Sequence, residues 1–209
     1  MKGRPCTHSP ALSCMLLQRL SGALLTSLLM LAPMARAADL DWSVGAYAGQ
    51  YYDSEPAGWT QGRARYLDQY LVALTASKTL WRAPTLPLSL EIDGMLGQQS
   101  GIASVTEIAL VPVLRWSHFP WNHIVQTDLR LGPLGISHTS TVSPLERGTG
   151  ARGSQTLGFL LIELAFSQPS QPAEEFFMRL HHRCAVYDTL NDSGANGEDF
   201  FSVGYRHRF

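Results

Sequence analysis

His182 and Cys184 are two apart in Met178–Val186, a run that reads as a β-strand. In a strand, residues two apart point to the same face. An imidazole beside a thiol can take its proton, and the thiolate is a nucleophile for an ester carbonyl. The same face carries Met178, Leu180 and Val186, and the opposite face carries Arg179, His181 and Arg183. A base and a nucleophile set among apolar side chains, with charges on the other face, describe an enzyme site at a lipid surface. Two plainer readings stand beside it: Cys184 as a small buried hydrophobe, and His182 as an interfacial histidine. A metal site on His181, His182 and Cys184 is disfavoured, because adjacent strand residues diverge and the two histidines cannot chelate one ion. No cofactor is implied. The following Gly194-Ala195-Asn196-Gly197 reads as a turn, since no strand-to-helix context makes it a phosphate cradle. A second strand then runs to a terminal Phe209.

The elements that must carry this pair begin after a leader. Lys2, Arg4 and Arg19 precede the apolar stretch Ser21–Met34, and Ala35-Arg36-Ala37 supplies a small-x-small cleavage site. Residues 1–37 therefore read as a secretory signal peptide, and 38–209 as one domain. The apolar stretch is shorter than the roughly 20 residues a spanning helix needs. The chain of 209 residues has a formal net charge of −1. Removing the leader takes away four basic residues, Lys2, Arg4, Arg19 and Arg36, and no acidic one, leaving an acidic domain. This is not the concentrated basic patch of a nucleic-acid binder. Cys6 and Cys14 leave with the leader, so Cys184 remains alone and no internal disulfide forms.

The domain alternates at period 2. Leu88, Leu90 and Ile92 alternate with Ser89, Glu91 and Asp93; Val125, Thr127, Leu129 and Leu131 alternate with Gln126, Asp128 and Arg130. Weaker alternation covers Phe159–Phe166, and Val203 and Tyr205 alternate with Ser202, Gly204 and Arg206. Eight strands are expected, near 40–53, 63–80, 86–98, 103–117, 122–138, 155–167, 175–187 and 199–209. The pattern fits a soluble sandwich with its apolar face inside and equally a membrane barrel with it outside. The leader, the terminal aromatic and the strand lengths favour an eight-stranded antiparallel transmembrane barrel. Trp81–Pro87, Ser117–Asn122 and Ser167–Glu174 would be periplasmic turns. Ser54–Gly62, Gln98–Ala103, Thr139–Gln155 and Asp188–Glu198 would be external loops. Trp42, Tyr51, Tyr52, Trp81, Trp116, Phe119 and Trp121 are expected in interfacial girdles. Arg179, His181 and Arg183 are expected to join inward charges such as Glu91, Asp93, Asp128 and Glu163, because buried charges need partners.

From Arg115 onward the chain resembles the outer-membrane lipid A 3-O-deacylase (PagL-like) family. The matching pieces are Arg115-Trp116, Phe119-Pro120-Trp121-Asn122, Glu163, Arg179-Leu180-His181-His182-Arg183 and the closing Gly204-Tyr205-Arg206-His207-Arg208-Phe209. The resemblance implies an eight-stranded barrel in the bacterial outer membrane with a site on its lipid-facing surface. There a His-x-Ser pair and an acidic residue of the last strand hydrolyse a lipid A acyl ester. Carried over, the histidine is His182, and the serine position holds Cys184. The acidic residue is Asp199, which alternation places on the face of Phe201, Val203 and Tyr205, whereas Glu198 turns away. A polar residue after the family's serine helps hold the oxyanion; this chain has Ala185 there. Lipopolysaccharide, reached sideways from the membrane, is the implied substrate. The alternatives are a structural outer-membrane barrel that has lost catalysis with its serine, and a soluble periplasmic lipid-binding barrel.

Overall fold

The computed structural model describes residues 40–53, 61–146, 153–185 and 197–209. The leader expected over 1–37 lies outside them, as do Val186 and the run 188–196. Eight antiparallel strands follow in order: β1 (Trp42–Asp53), β2 (Arg65–Arg82), β3 (Leu88–Gly101), β4 (Val105–Trp116), β5 (Gln126–Thr139), β6 (Thr156–Gln168), β7 (Gln171–Cys184) and β8 (Glu198–Arg208). Each pairs with its neighbour, and β8 returns to β1, so the barrel is closed and has no free sheet edge. The strands run from 11 to 18 residues, long enough to cross a bilayer, which takes about 9–11 tilted residues.

The inside-out pattern decides between barrel and sandwich. Val72, Leu74, Leu96, Ile108, Leu110 and Phe176 are exposed on the outer wall, several by more than half. Arg130, Arg179, Arg183, Glu163 and Glu107 are buried in the interior. Water as the outer solvent would punish this distribution, whereas a hydrocarbon layer accepts it. Inside, Tyr47, Phe159, Phe177, Phe200, Val111 and Leu161 pack together among the charges.

The ladder extends beyond the apolar pattern in places. β7 starts at Gln171 and pairs with Gln168, so the expected Ser167–Glu174 turn shrinks to Pro169–Ser170. Below the apolar belt both faces carry polar residues, and hydrophobic alternation no longer marks the strand. β5 starts at Gln126, later than expected. Asn122 closes a turn there, accepting from Thr127 N at 3.1 Å and donating to Ser117 O at 3.0 Å. The β5 register slips between Gly132 and Gly135. That bulge resets the alternation and turns Ser137 and Thr139 inward.

Trp42 and Phe209 exchange backbone hydrogen bonds of 3.0 and 2.8 Å, so the two ends of the barrel chain meet at one rim. Trp42, Trp81, Trp116 and Trp121 are exposed at that rim, as an interfacial girdle requires. Tyr51 and Tyr52 depart from the girdle expected of them, being 6% and 1% exposed. Tyr51 turns inward and packs edge-on against Phe200, with ring centroids 5.9 Å apart. Tyr51 keeps the inward alternation of Ser43 and Tyr47, whereas the β1–β2 ladder shifts between Gln50 and Tyr52, where Tyr52 packs beside the Tyr66 ring with centroids 6.3 Å apart.

Candidate functional site

The expected residues meet at the rim opposite the chain ends. The β7–β8 register sets His182 opposite Asp199 and Arg183 opposite Glu198. Because faces alternate, one rung supplies the outer pair and the next an inner pair. His182 Nδ1 lies 2.6 Å from Asp199 Oδ1. An ionised carboxylate only accepts, so Nδ1–H donates to it and Nε2 is left free to act as a base. Cys184 is the last residue of β7, half-buried, and its side chain is a hydrogen-bonding neighbour of the His182 ring. The His182 and Asp199 side chains are 13% and 7% exposed, which keeps their bond in a low-dielectric setting.

Two further residues shape the site, and sequence reading had assigned neither to it. A Cβ on Gly197 would come within 2.9 Å of Arg183 O and 3.0 Å of His182 Cε1. The glycine read as an ordinary turn residue is what lets the imidazole lie against the backbone. Only its position, two residues before Asp199, hinted at this. Tyr52 follows Tyr51, which pairs with Phe200, and so comes up beside Asp199. Its buried hydroxyl has no hydrogen-bond partner among the described residues.

His181 points the other way. It lies 3.1 Å from Tyr47 Oη and 3.2 Å from Glu107 inside the barrel, so the two adjacent histidines serve different environments. Glu163 is also interior, within 2.9 Å of Arg130 and 2.6 Å of Arg179 and bonded to Arg206. Among the described residues no cluster of His, Cys, Asp or Glu is arranged to hold a metal ion.

Chemically, the outer group comprises an oriented imidazole and an adjoining thiol. Asp199→Asn would present an amide to Nδ1 and disfavour the useful tautomer. For the hydrolase proposed below, we expect a fall in turnover of about 10²–10⁴-fold with the barrel intact. Release of acyl chain from a lipid ester, read with folded protein, checks it; unchanged turnover would remove Asp199 from the site. Gly197→Ala should displace the ring by a few tenths of an ångström or more. Such misplacement costs about tenfold or more in rate, and an unchanged rate would show that the ring tolerates the crowding.

The closed eight-stranded barrel, charged within and apolar without, is a transmembrane β-barrel of the bacterial outer-membrane type. No protein-family model and no curated protein matches the sequence. Among solved structures, the outer membrane enzyme PagL superposes with a TM-score of 0.54 at 17% identity, covering 80% of this chain and 99% of that chain. Neisserial surface protein A (NspA) gives 0.46 at 15%, covering 80% and 97%. OprG from Pseudomonas aeruginosa gives 0.43 at 12%, covering 81% and 95%. The likeness to PagL establishes a shared barrel fold.

Proposed function

We propose that the protein is an outer-membrane ester hydrolase that removes an acyl chain from lipid A by nucleophilic attack of Cys184. The observation that supports this most directly is the His182–Asp199 pair, 2.6 Å apart beside a thiol at the outer wall. Asp199 holds the imidazole, and Nε2 takes the thiol proton. Sulfur attacks the ester carbonyl, the sugar alcohol leaves with a proton from the imidazolium, and an acyl thioester remains. Water, activated by the same imidazole, then releases the fatty acid and restores the thiol. The 3-O position comes from the family resemblance alone. An acyl ester near the membrane surface suits a site at the end of a strand rather than at its middle.

The test is mass spectrometry of lipid A from cells expressing the protein. Loss of one hydroxyacyl chain supports the reading; unaltered lipid A refutes it for the natural chain. The second reading, a structural barrel without catalysis, is favoured by one observation. Ala185 brings no side-chain donor to the oxyanion, and one such donor is worth about 3 kcal/mol.

A further inference from the structure

The described start of the β5–β6 connection, up to Glu146, enters the barrel mouth. Ser143 and Glu146 are both fully buried, and Leu145 packs against the interior apolar cluster. Glu146 forms an ion pair with Arg183, and Ser143 Oγ donates to Glu198 Oε1 at 3.1 Å. Arg183 and Glu198 are opposite each other on the last β7–β8 rung, and the next rung is His182 opposite Asp199. The connection therefore grips, from inside, the rung that closes the ladder above the candidate site.

We propose that Glu146 is a positioning residue for the His182–Asp199–Cys184 site, acting through Arg183. This rests on the function proposed above and adds to it. Terminal rungs of a ladder open most easily, since fewer contacts hold them. Here β5 and the residue just before β6 also fix Arg183: its Nε donates to Ser137 at 2.6 Å and its Nη2 to the carbonyl of Gln155 at 3.1 Å. Glu107 stands 3.5 Å from Arg183 Nε and Glu198 3.7 Å from Nη1, whereas Glu146 makes the close contact. On the far side, Gln99 Nε2 lies 3.1 Å from Glu198 and 3.2 Å from Glu107. Without Glu146 the guanidinium turns toward those two carboxylates, and the backbone at 182–184 turns with it. His182 and Cys184 flank Arg183 directly, so its displacement reaches both.

The experiment compares the full chain with Glu146→Ala, Glu146→Asp and Ser143→Ala, each confirmed as folded by heat-modifiable gel mobility. Two quantities are measured: amide hydrogen exchange at 181–184 and 198–200, and kcat and KM for acyl release from lipid A. For Glu146→Ala we expect exchange at the rung to speed by about tenfold, the scale of one lost charge-assisted bond. We also expect kcat to fall while KM stays put, and Glu146→Asp to recover part of both effects. Unchanged exchange in folded Glu146→Ala, or a change confined to KM, would overturn the role. If Glu146→Ala does not fold, Ser143→Ala decides in its place, because it severs the contact to Glu198 and otherwise only the local bond from Leu145 N at 3.3 Å. If wild type releases no acyl chain, the hydrolase reading fails by itself, and the exchange data still decide whether the connection holds the rung.

Discussion

Cys184→Ala is expected to abolish acyl release from lipid A, a loss of about 10³–10⁶-fold in turnover. Alanine removes only the thiol and leaves His182 bonded to Asp199, so a folded, inert barrel is the anticipated product. Cys184→Ser is the more informative partner. Its hydroxyl ionises far less readily than a thiol, so it depends wholly on His182 as base. That base is already oriented by a 2.6 Å bond to Asp199, and serine should therefore retain measurable release. A thiol-alkylating reagent should then inactivate wild type and spare the serine variant. Lipid A mass spectrometry of the three strains separates the cases. Deacylation by wild type and serine but not alanine supports a thiol-dependent hydrolase. Deacylation by serine alone identifies an intact scaffold whose nucleophile has been lost. Unaltered lipid A in all three leaves the structural barrel as the reading.

Much of this architecture is legible in the sequence because two periods coincide. The strand period of two puts His182 with Leu180 and Asp199 with Phe201, and the same alternation sends Arg183 and Glu198 inward. Those assignments need only local chain geometry. What alternation cannot carry is register beyond a slip. The bulge between Gly132 and Gly135 places Ser137 against Arg183, and the β1–β2 pairing shifts between Gln50 and Tyr52. Neither slip leaves a hydrophobic signature. Strand ends were equally silent where polar residues continue the ladder, as at Gln168 and Gln171. Gly197 and Glu146 were missed for a different reason. Each acts through a contact made only after the barrel closes, one with a ring on the adjacent strand and the other with a guanidinium in the lumen.

The interior charges raise a question of solvent that one substitution can answer. Glu163 accepts from Arg130 Nη1 at 2.9 Å and from Arg179 Nε at 2.8 Å, and it also bonds Arg206. Arg130 keeps Glu91 and Asp93 at 2.8 and 2.9 Å without it, and Arg206 keeps Glu175 at 2.7 Å. Among the described residues Arg179 keeps Asp93, at 3.5 Å, together with the faces of Tyr47 and Phe177 at 4.6 and 5.1 Å. Glu163→Ala therefore strands chiefly Arg179. The expected cost is about 3–5 kcal/mol, the penalty for leaving one member of a buried pair uncompensated. Urea unfolding followed by tryptophan fluorescence in detergent micelles measures it. Adding Arg179→Met should restore part of the loss, since the stranded charge is then gone, and the double variant should be more stable than the sum of the singles. A Glu163→Ala midpoint equal to wild type would mean that water reaches Arg179 and replaces the carboxylate. A lumen that wet would also hydrate Arg183, weakening the grip of Glu146 on the site rung. The stability of a variant in the middle of the barrel thus bears on how firmly the chemistry at its rim is held.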